Sequence, residues 1–307
     1  MTLVVLNRAA AGGTALRKWR AVEPDLRPYL GDRELAATED PLLARAWIED
    51  SLYRGERRFV AAGGDGTVNL LVDTIAGGAP PDMLHHVCVG AVGLGSSNDF
   101  HKPIRKDHQV KGVPFRLNFG SPATHDLCLV YVDEDERRHW IINASVGLTA
   151  EANRFFNRPD RALRTLKKLS PGAAVAYTAA HTLTAKRDRP MTVQVECARP
   201  FFAVVTNLGV VKNPNVSGPL SYRSPYEPDS GFFHAHLCEG MSRARVLSTL
   251  WRSARRGFTG LPSTRSWRAR RFCVEAAERF PVEFDGETVL ASHVSFSVLK
   301  GAIRICG

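Results

Sequence analysis

At 307 residues, 44% hydrophobic and 23% charged, the chain is long enough for two cores, and two domains are expected. The 41 Lys and Arg against 31 Asp and Glu give a net charge of +10, which favours an anionic partner: a phosphate, a nucleic acid or an acidic membrane surface. Six scattered cysteines without a C-x-x-C pair speak against zinc and a disulfide framework and for a reducing cytoplasm, and no apolar stretch approaches the roughly 18–20 residues of a membrane span.

Short apolar runs alternate with helix-like segments over the first hundred residues, the pattern of a layered α/β domain on a parallel sheet. Leu3–Leu6 is the first predicted strand, and the four-residue apolar run there is too short for a signal peptide core. Asp40-Pro41 opens a helix that runs to Tyr53, and Phe59–Ala62 is a buried strand. After Gly63-Gly64-Asp65-Gly66-Thr67-Val68-Asn69, the spacing of Val68, Leu71, Val72 and Ile75 predicts a helix stopped by Gly77 and Gly78. Val87–Val92 is a further strand that leads into Gly93-Leu94-Gly95-Ser96-Ser97-Asn98-Asp99-Phe100.

From about Ser121 the pattern changes to strands without regular helical crossovers: Asp126–Val132, Trp140–Ala144, Met191–Val195, Phe201–Thr206 and Phe232–Leu237. This predicts a second, mainly β domain. Helices are expected over Glu151–Leu169 and Ser242–Gly257, and a loop over Asn213–Gly231. The domain boundaries that follow are 1–121 and 122–290, with 291–307 returning to the first domain.

The strongest chemical signal is the run from Gly63 to Asn69 between a strand and a helix. Its glycines let backbone N–H groups approach a polyphosphate, and the helix N-terminus adds partial positive charge. An acid in such a loop, Asp65, suits a Mg²⁺-bound phosphate or the polarising of an attacking hydroxyl. A plain glycine turn with an N-cap satisfies the same residues structurally.

GGDGT is common to several kinases, including relatives of NAD kinase and of 6-phosphofructokinase. GGDGTVN followed by GSSNDF resembles the paired motifs of the diacylglycerol kinase catalytic domain, whose family includes sphingosine and ceramide kinases. The likeness continues through NRAAAG from Asn7, Thr38, NASVGLTAE from Asn143, and VEFDGE from Val282. It implies an α/β nucleotide-binding domain with a parallel sheet plus a mainly β C-terminal domain, and an ATP- and Mg²⁺-dependent kinase acting on a lipid hydroxyl, diacylglycerol first. It further implies that Asn7, Arg8, Ala9, Ala10, Ala11, Thr38, Gly63, Gly64, Asp65, Gly66, Thr67, Val68, Asn69 and Ser96 surround ATP. Here Arg8 stands for the usual Pro and Ser96 for Thr. Asp65 and Asp229 are the implied metal residues, although Asp229 of DSGF sits one place early.

Phe284-Asp285-Gly286-Glu287 resembles the family's D-G-E element, which makes Glu287 the implied general base, with Asp285 grouped beside it as catalytic. Read without the family, Asp-Gly is a hairpin turn between Val282–Phe284 and Thr288–Leu290, and a turn can itself present a carboxylate. Nine arginines and no acid lie between Gly240 and Val274. There Val246, Leu247, Leu250, Trp251, Ala254 and Phe258 make an apolar stripe opposite Arg245, Arg252, Arg255 and Arg256, as in a helix on an anionic membrane or one packed between domains. The stretch Arg154–Lys168 allows the same two readings. The expected partners are a lipid substrate and an anionic membrane surface at the inner face of the membrane, with a homodimer as a further expectation and no nucleic acid, since no nucleic-acid-binding signature occurs. The alternatives are another acceptor, a sphingoid lipid or an NAD-type small molecule, and a catalytically silent nucleotide sensor.

Overall fold

A computed structural model describes residues 1–216, 220–256, 258 and 260–307. The N-terminal half runs β1 (Thr2–Asn7), α1 (Ala10–Gly13), α2 (Ala15–Leu30), β2 (Arg33–Thr38), α3 (Pro41–Tyr53), β3 (Arg58–Gly63), α4 (Asp65–Gly78), α5 (Pro81–Leu84) and β4 (Cys88–Gly93). Strands β1 to β4 pair in parallel in the order β2-β1-β3-β4. Alternate side chains of these strands face opposite ways, so each face is covered by helices. Leu3, Val5, Phe59 and Ala61 pack with Ile48 of α3 and Leu71, Val72 and Ile75 of α4. Val4, Leu6, Val60 and Ala62 pack with Trp19, Val22, Leu26 and Leu30 of α2. Asp40 caps α3 by accepting from the Leu42 N–H at 2.8 Å, as the Asp-Pro pair predicts.

The remainder runs β5 (Gln109–Val110), β6 (Val113–Arg116), β7 (Ala123–Val132), β8 (Glu136–Trp140), β9 (Asn143–Gly147), α6 (Leu148–Asn157), α7 (Arg161–Leu169), α8 (Pro171–Thr184), β10 (Arg189–Val195), β11 (Phe201–Val211), β12 (Asn215–Val216), β13 (Leu220–Ser221), β14 (Phe233–Glu239), α9 (Arg243–Arg256), β15 (Thr264–Ala269), β16 (Arg271–Phe284) and β17 (Glu287–Ile305). These strands pair mostly antiparallel and enclose a core that includes Trp140, Phe233, Phe272, Phe280, Phe284 and Phe296. One mixed sheet joins both halves. Its long strand β17 pairs antiparallel with β16 and β7, then parallel with β4 at Arg304 and Ile305.

Three expectations need correction. Trp140–Ala144 is two strands with a bend at Ile141–Ile142, because the N–H groups of that bend serve a side chain and not a ladder. Glu151–Leu169 is two helices: Pro159 interrupts the run, and Asp160 starts α7 by accepting from the Leu163 N–H at 2.7 Å. The stretch Asn213–Gly231 carries the short pair β12–β13, and its residues 217–219 lie outside the described residues, as does Gly257 at the end of the expected C-terminal helix.

Candidate active site

The carboxyl ends of the parallel strands gather the predicted phosphate residues. Asn7 ends β1, Thr38 ends β2, Gly63 ends β3 and Gly93 ends β4. The strand order reverses between β1 and β3, the place where open α/β sheets bind ligands. Across that crevice the Asn7 side-chain amide donates to Thr67 Oγ1 at 3.2 Å, while Asn7 Oδ1 accepts from the Ala9 N–H at 3.0 Å. The Arg8 N–H donates to the Thr38 carbonyl at 2.9 Å. Ala11 and Gly12 both take left-handed conformations, so the chain adopts a glycine-like loop with alanine at one of its positions.

The two glycine loops pack backbone against backbone. A Cβ on Gly95 would lie 2.5 Å from Gly64 Cα, and one on Gly63 would lie 2.2 Å from Thr67 Oγ1, so no larger residue fits at either place. Asn98 closes the second loop in a left-handed conformation, accepting from the Gly95 N–H at 3.1 Å and donating to the Gly93 carbonyl at 3.1 Å. Ser96 lies exposed at its tip. Helix α4 therefore begins at Asp65 with its first N–H groups directed to the crevice rim, where an anion is stabilised. Lys18 of α2 reaches the Leu94 carbonyl at 3.3 Å and adds a positive charge beside the loop, with no motif in the sequence to mark it.

Asp65 is partly buried, and its Oδ1 accepts from the Phe100 N–H at 3.0 Å. Burial, reinforced by the nearby negative charge of Asp99, pushes its carboxyl up to about 6 against that N–H. A hard oxygen donor with excess negative charge suits a Mg²⁺ ion that takes the rest of its shell from phosphates and water. Asp229 does not fit a second metal. It is exposed, and among the described residues no group of three acidic, histidine or cysteine side chains could hold an ion. The neighbouring buried carboxylate, Asp126, already pairs with the Lys212 ammonium and accepts from the N–H groups of Gly231 and Gly301 at 2.7 and 2.8 Å.

The C-terminal motif forms the predicted turn, with Phe284 opposite Glu287 and positive φ at Asp285 and Gly286. Glu287 is partly buried at the start of β17. Asp285 has a different role from the catalytic one expected. It is 2% exposed and accepts from the N–H groups of Ile141, Ile142 and Asn143 at 2.7, 2.9 and 2.9 Å and from the Asn69 amide at 3.1 Å. Burial pushes its carboxyl up to about 7 against these four donors. With every lone pair engaged and no route to solvent, Asp285 is a positioning residue. Asn69 and Val68 likewise turn their side chains into the protein, so of these two only the backbone lies near the loop.

Asn69 stands one helical turn after Asp65, so the Asn69–Asp285 bond ties the phosphate helix to the turn that presents Glu287. A second tie lies one turn further along. Asp73 accepts from the His139 N–H and ring Nδ1 at 2.9 and 3.1 Å and pairs with Arg45 and Arg138. Although burial opposes ionisation of Asp73, His139 and then Arg45 hold its carboxyl down to about 2. Asn69 and Asp73 follow helical spacing, but Asp285 and His139, the partners that tie them across the site, lie 216 and 66 residues away, so periodicity gives no sign of them.

Residues 1–128 match the diacylglycerol kinase catalytic domain family. A Stenotrophomonas maltophilia protein named "Probable lipid kinase YegS-like" is 24% identical over 98% of this chain and 94% of its own length. This chain is a kinase whose residues 1–128 are similar to the diacylglycerol kinase catalytic domain. A second protein of the same name, from Pectobacterium atrosepticum, is 32% identical over 33% of this kinase and 31% of its own length. In fold, the kinase is similar to a diacylglycerol kinase from Bacillus anthracis Sterne, with TM-score 0.68 at 11% identity over 99% and 96% of the two chains.

Proposed function

We propose that the protein transfers the γ-phosphoryl group of ATP to the hydroxyl of a lipid, diacylglycerol first among the acceptors. The observation that carries this reading is the Asn69–Asp285 bond, which holds the glycine-loop helix and the Glu287 turn as one unit. Asn7, the N–H groups at the start of α4 and Lys18 would bind the phosphates, and Asp65 would hold the nucleotide's Mg²⁺. When bound, that ion supplies neutralisation of the charge on the phosphate oxygens. Glu287 accepts the hydroxyl proton as the oxygen bonds to the γ-phosphorus, the bond to the bridging oxygen breaks, and ADP departs. Most of the acceleration comes from positioning and charge stabilisation, with the base adding about 10²–10⁴-fold.

Incubation with labelled ATP, Mg²⁺ and diacylglycerol should yield labelled phosphatidic acid. Asp65→Asn and Glu287→Gln should each lower turnover by about 10²–10⁴-fold with an unchanged melting temperature. Label appearing in NAD but in no lipid would replace the acceptor assignment, and near-normal turnover in either variant would remove its residue from the mechanism.

A further inference from the structure

Helix α9 has two faces. Val246, Thr249 and Ser253 are buried, and with Met241 and Phe258 they meet the helix's packing needs against the β half. The other side leaves Leu247, Leu250 and Trp251 exposed by 54%, 41% and 55%. Residues 247, 250 and 251 follow helical spacing and so form one apolar strip. A basic margin borders it: Arg252 and Arg255 are exposed, and the Arg255 guanidinium lies 4.2 Å from the Trp251 ring centre. No acid occurs between Gly240 and Val274. Large apolar side chains flanked by cations alone match the two layers of an anionic bilayer, whose headgroups carry the complementary charge.

Behind this helix lies a cavity of about 130 Å³. Val246, Thr249, Leu250 and Ser253 of α9 form one wall, and Asn143 and Ser145 of β9 stand opposite. Those two β9 residues contact the turn that presents Glu287: the Asn143 N–H donates to Asp285 at 2.9 Å, and the Ser145 hydroxyl donates to Glu283 at 2.7 Å. Leu250 both lines the cavity and reaches the surface, so it stands at the mouth.

We propose that α9 is a membrane-docking helix that seats Leu247, Leu250 and Trp251 in an anionic bilayer, with Arg252 and Arg255 at the headgroup phosphates, so that the cavity behind it opens to the lipid phase. The route from bilayer to cavity rests on the lipid kinase reading, whereas the docking does not.

The test is co-sedimentation of the full chain, without nucleotide, with vesicles of phosphatidylcholine alone or mixed with phosphatidylglycerol. The wild type should bind the mixed vesicles and be released by salt. Leu247→Ser/Trp251→Ser and Arg252→Glu/Arg255→Glu should each weaken binding by about tenfold or more while melting as the wild type does. No binding by the wild type, equal binding to both vesicle types, or unchanged binding by both variants overturns the proposal; the first result assigns the strip to a protein partner. Phosphatidic acid formed in detergent micelles reports on the kinase reading separately, so the two can fail independently.

Discussion

Asp65 and Asp285 show how two acids with similar sequence credentials acquire different work. Both lie in glycine-flanked motifs, and burial raises both carboxyls, to about 6 and about 7. Asp65 faces the crevice rim, so in the proposed mechanism its ionisation state would govern phosphate and metal binding directly. A group with a raised pKa is protonated over a wider acidic range, so kcat/KM should fall as pH drops through about 6, and this limb should report the free enzyme. A profile flat from pH 5 to 7 would show that Asp65 carries no essential charge. Asp285 instead serves four donors. Asp285→Ala strands them in a dry interior, and a loss of about 2–4 kcal/mol is expected, read as a lowered denaturation midpoint accompanied by lost activity. A variant inactive at full stability would restore the catalytic role. The sequence groups Asp285 with Glu287 as catalytic and gives no sign of its burial, because that burial depends on a bend 142 to 144 residues away.

At the level of elements, the glycine loops are legible and their contact is not. The run from Gly63 to Asn69 announces a strand, a turn and a helix, and β3 and α4 occupy the expected places. Nothing local says that Gly64 and Gly95 touch. Gly95→Ala should force the loops apart, at an overpacking cost of about 1–3 kcal/mol, and weaken ATP binding by about tenfold or more, measured by calorimetry, while the α/β core remains folded. Unchanged nucleotide affinity would show that the loop contact does not shape the phosphate site. Helix α2 illustrates the opposite limit. Pro24 and Pro28 lower its intrinsic propensity, yet Trp19, Val22, Leu26 and Leu30 are buried against the sheet, and that packing outweighs the local signal. In α9 the apolar stripe is visible in the sequence. Only the structure divides it into a packed face with Val246 and Phe258 and an exposed one with Leu247 and Trp251.

At the scale of the whole molecule, the change from alternating helices and strands to strands alone correctly separates an α/β half from a β-rich half, but it does not show that one sheet passes through both. Strand β17 makes the connection, and its 19 residues exceed any strand expected from the sequence because its partners change along its length. Its end is buried in the N-terminal core: Ile303 is 0% and Ile305 3% exposed, packed with Leu3, Phe59 and Ile142. Removing residues 302–307 would expose the edge of β4 and strip two isoleucines from that core, worth roughly 1.5–3 kcal/mol each, a sum comparable with the about 5–15 kcal/mol that holds an ordinary domain together. The loss falls on the N-terminal half although the deletion is at the other end of the chain. Hydrogen exchange should therefore show β1, β3 and β4 losing protection on deletion, along with the β16–β17 pairing that carries Glu287 into place. If β1 and β3 kept their protection while only β16 and β17 opened, the two halves would be energetically separate, and the geometry linking Asp65 to Glu287 would depend on the Asn69 and Asp73 contacts alone.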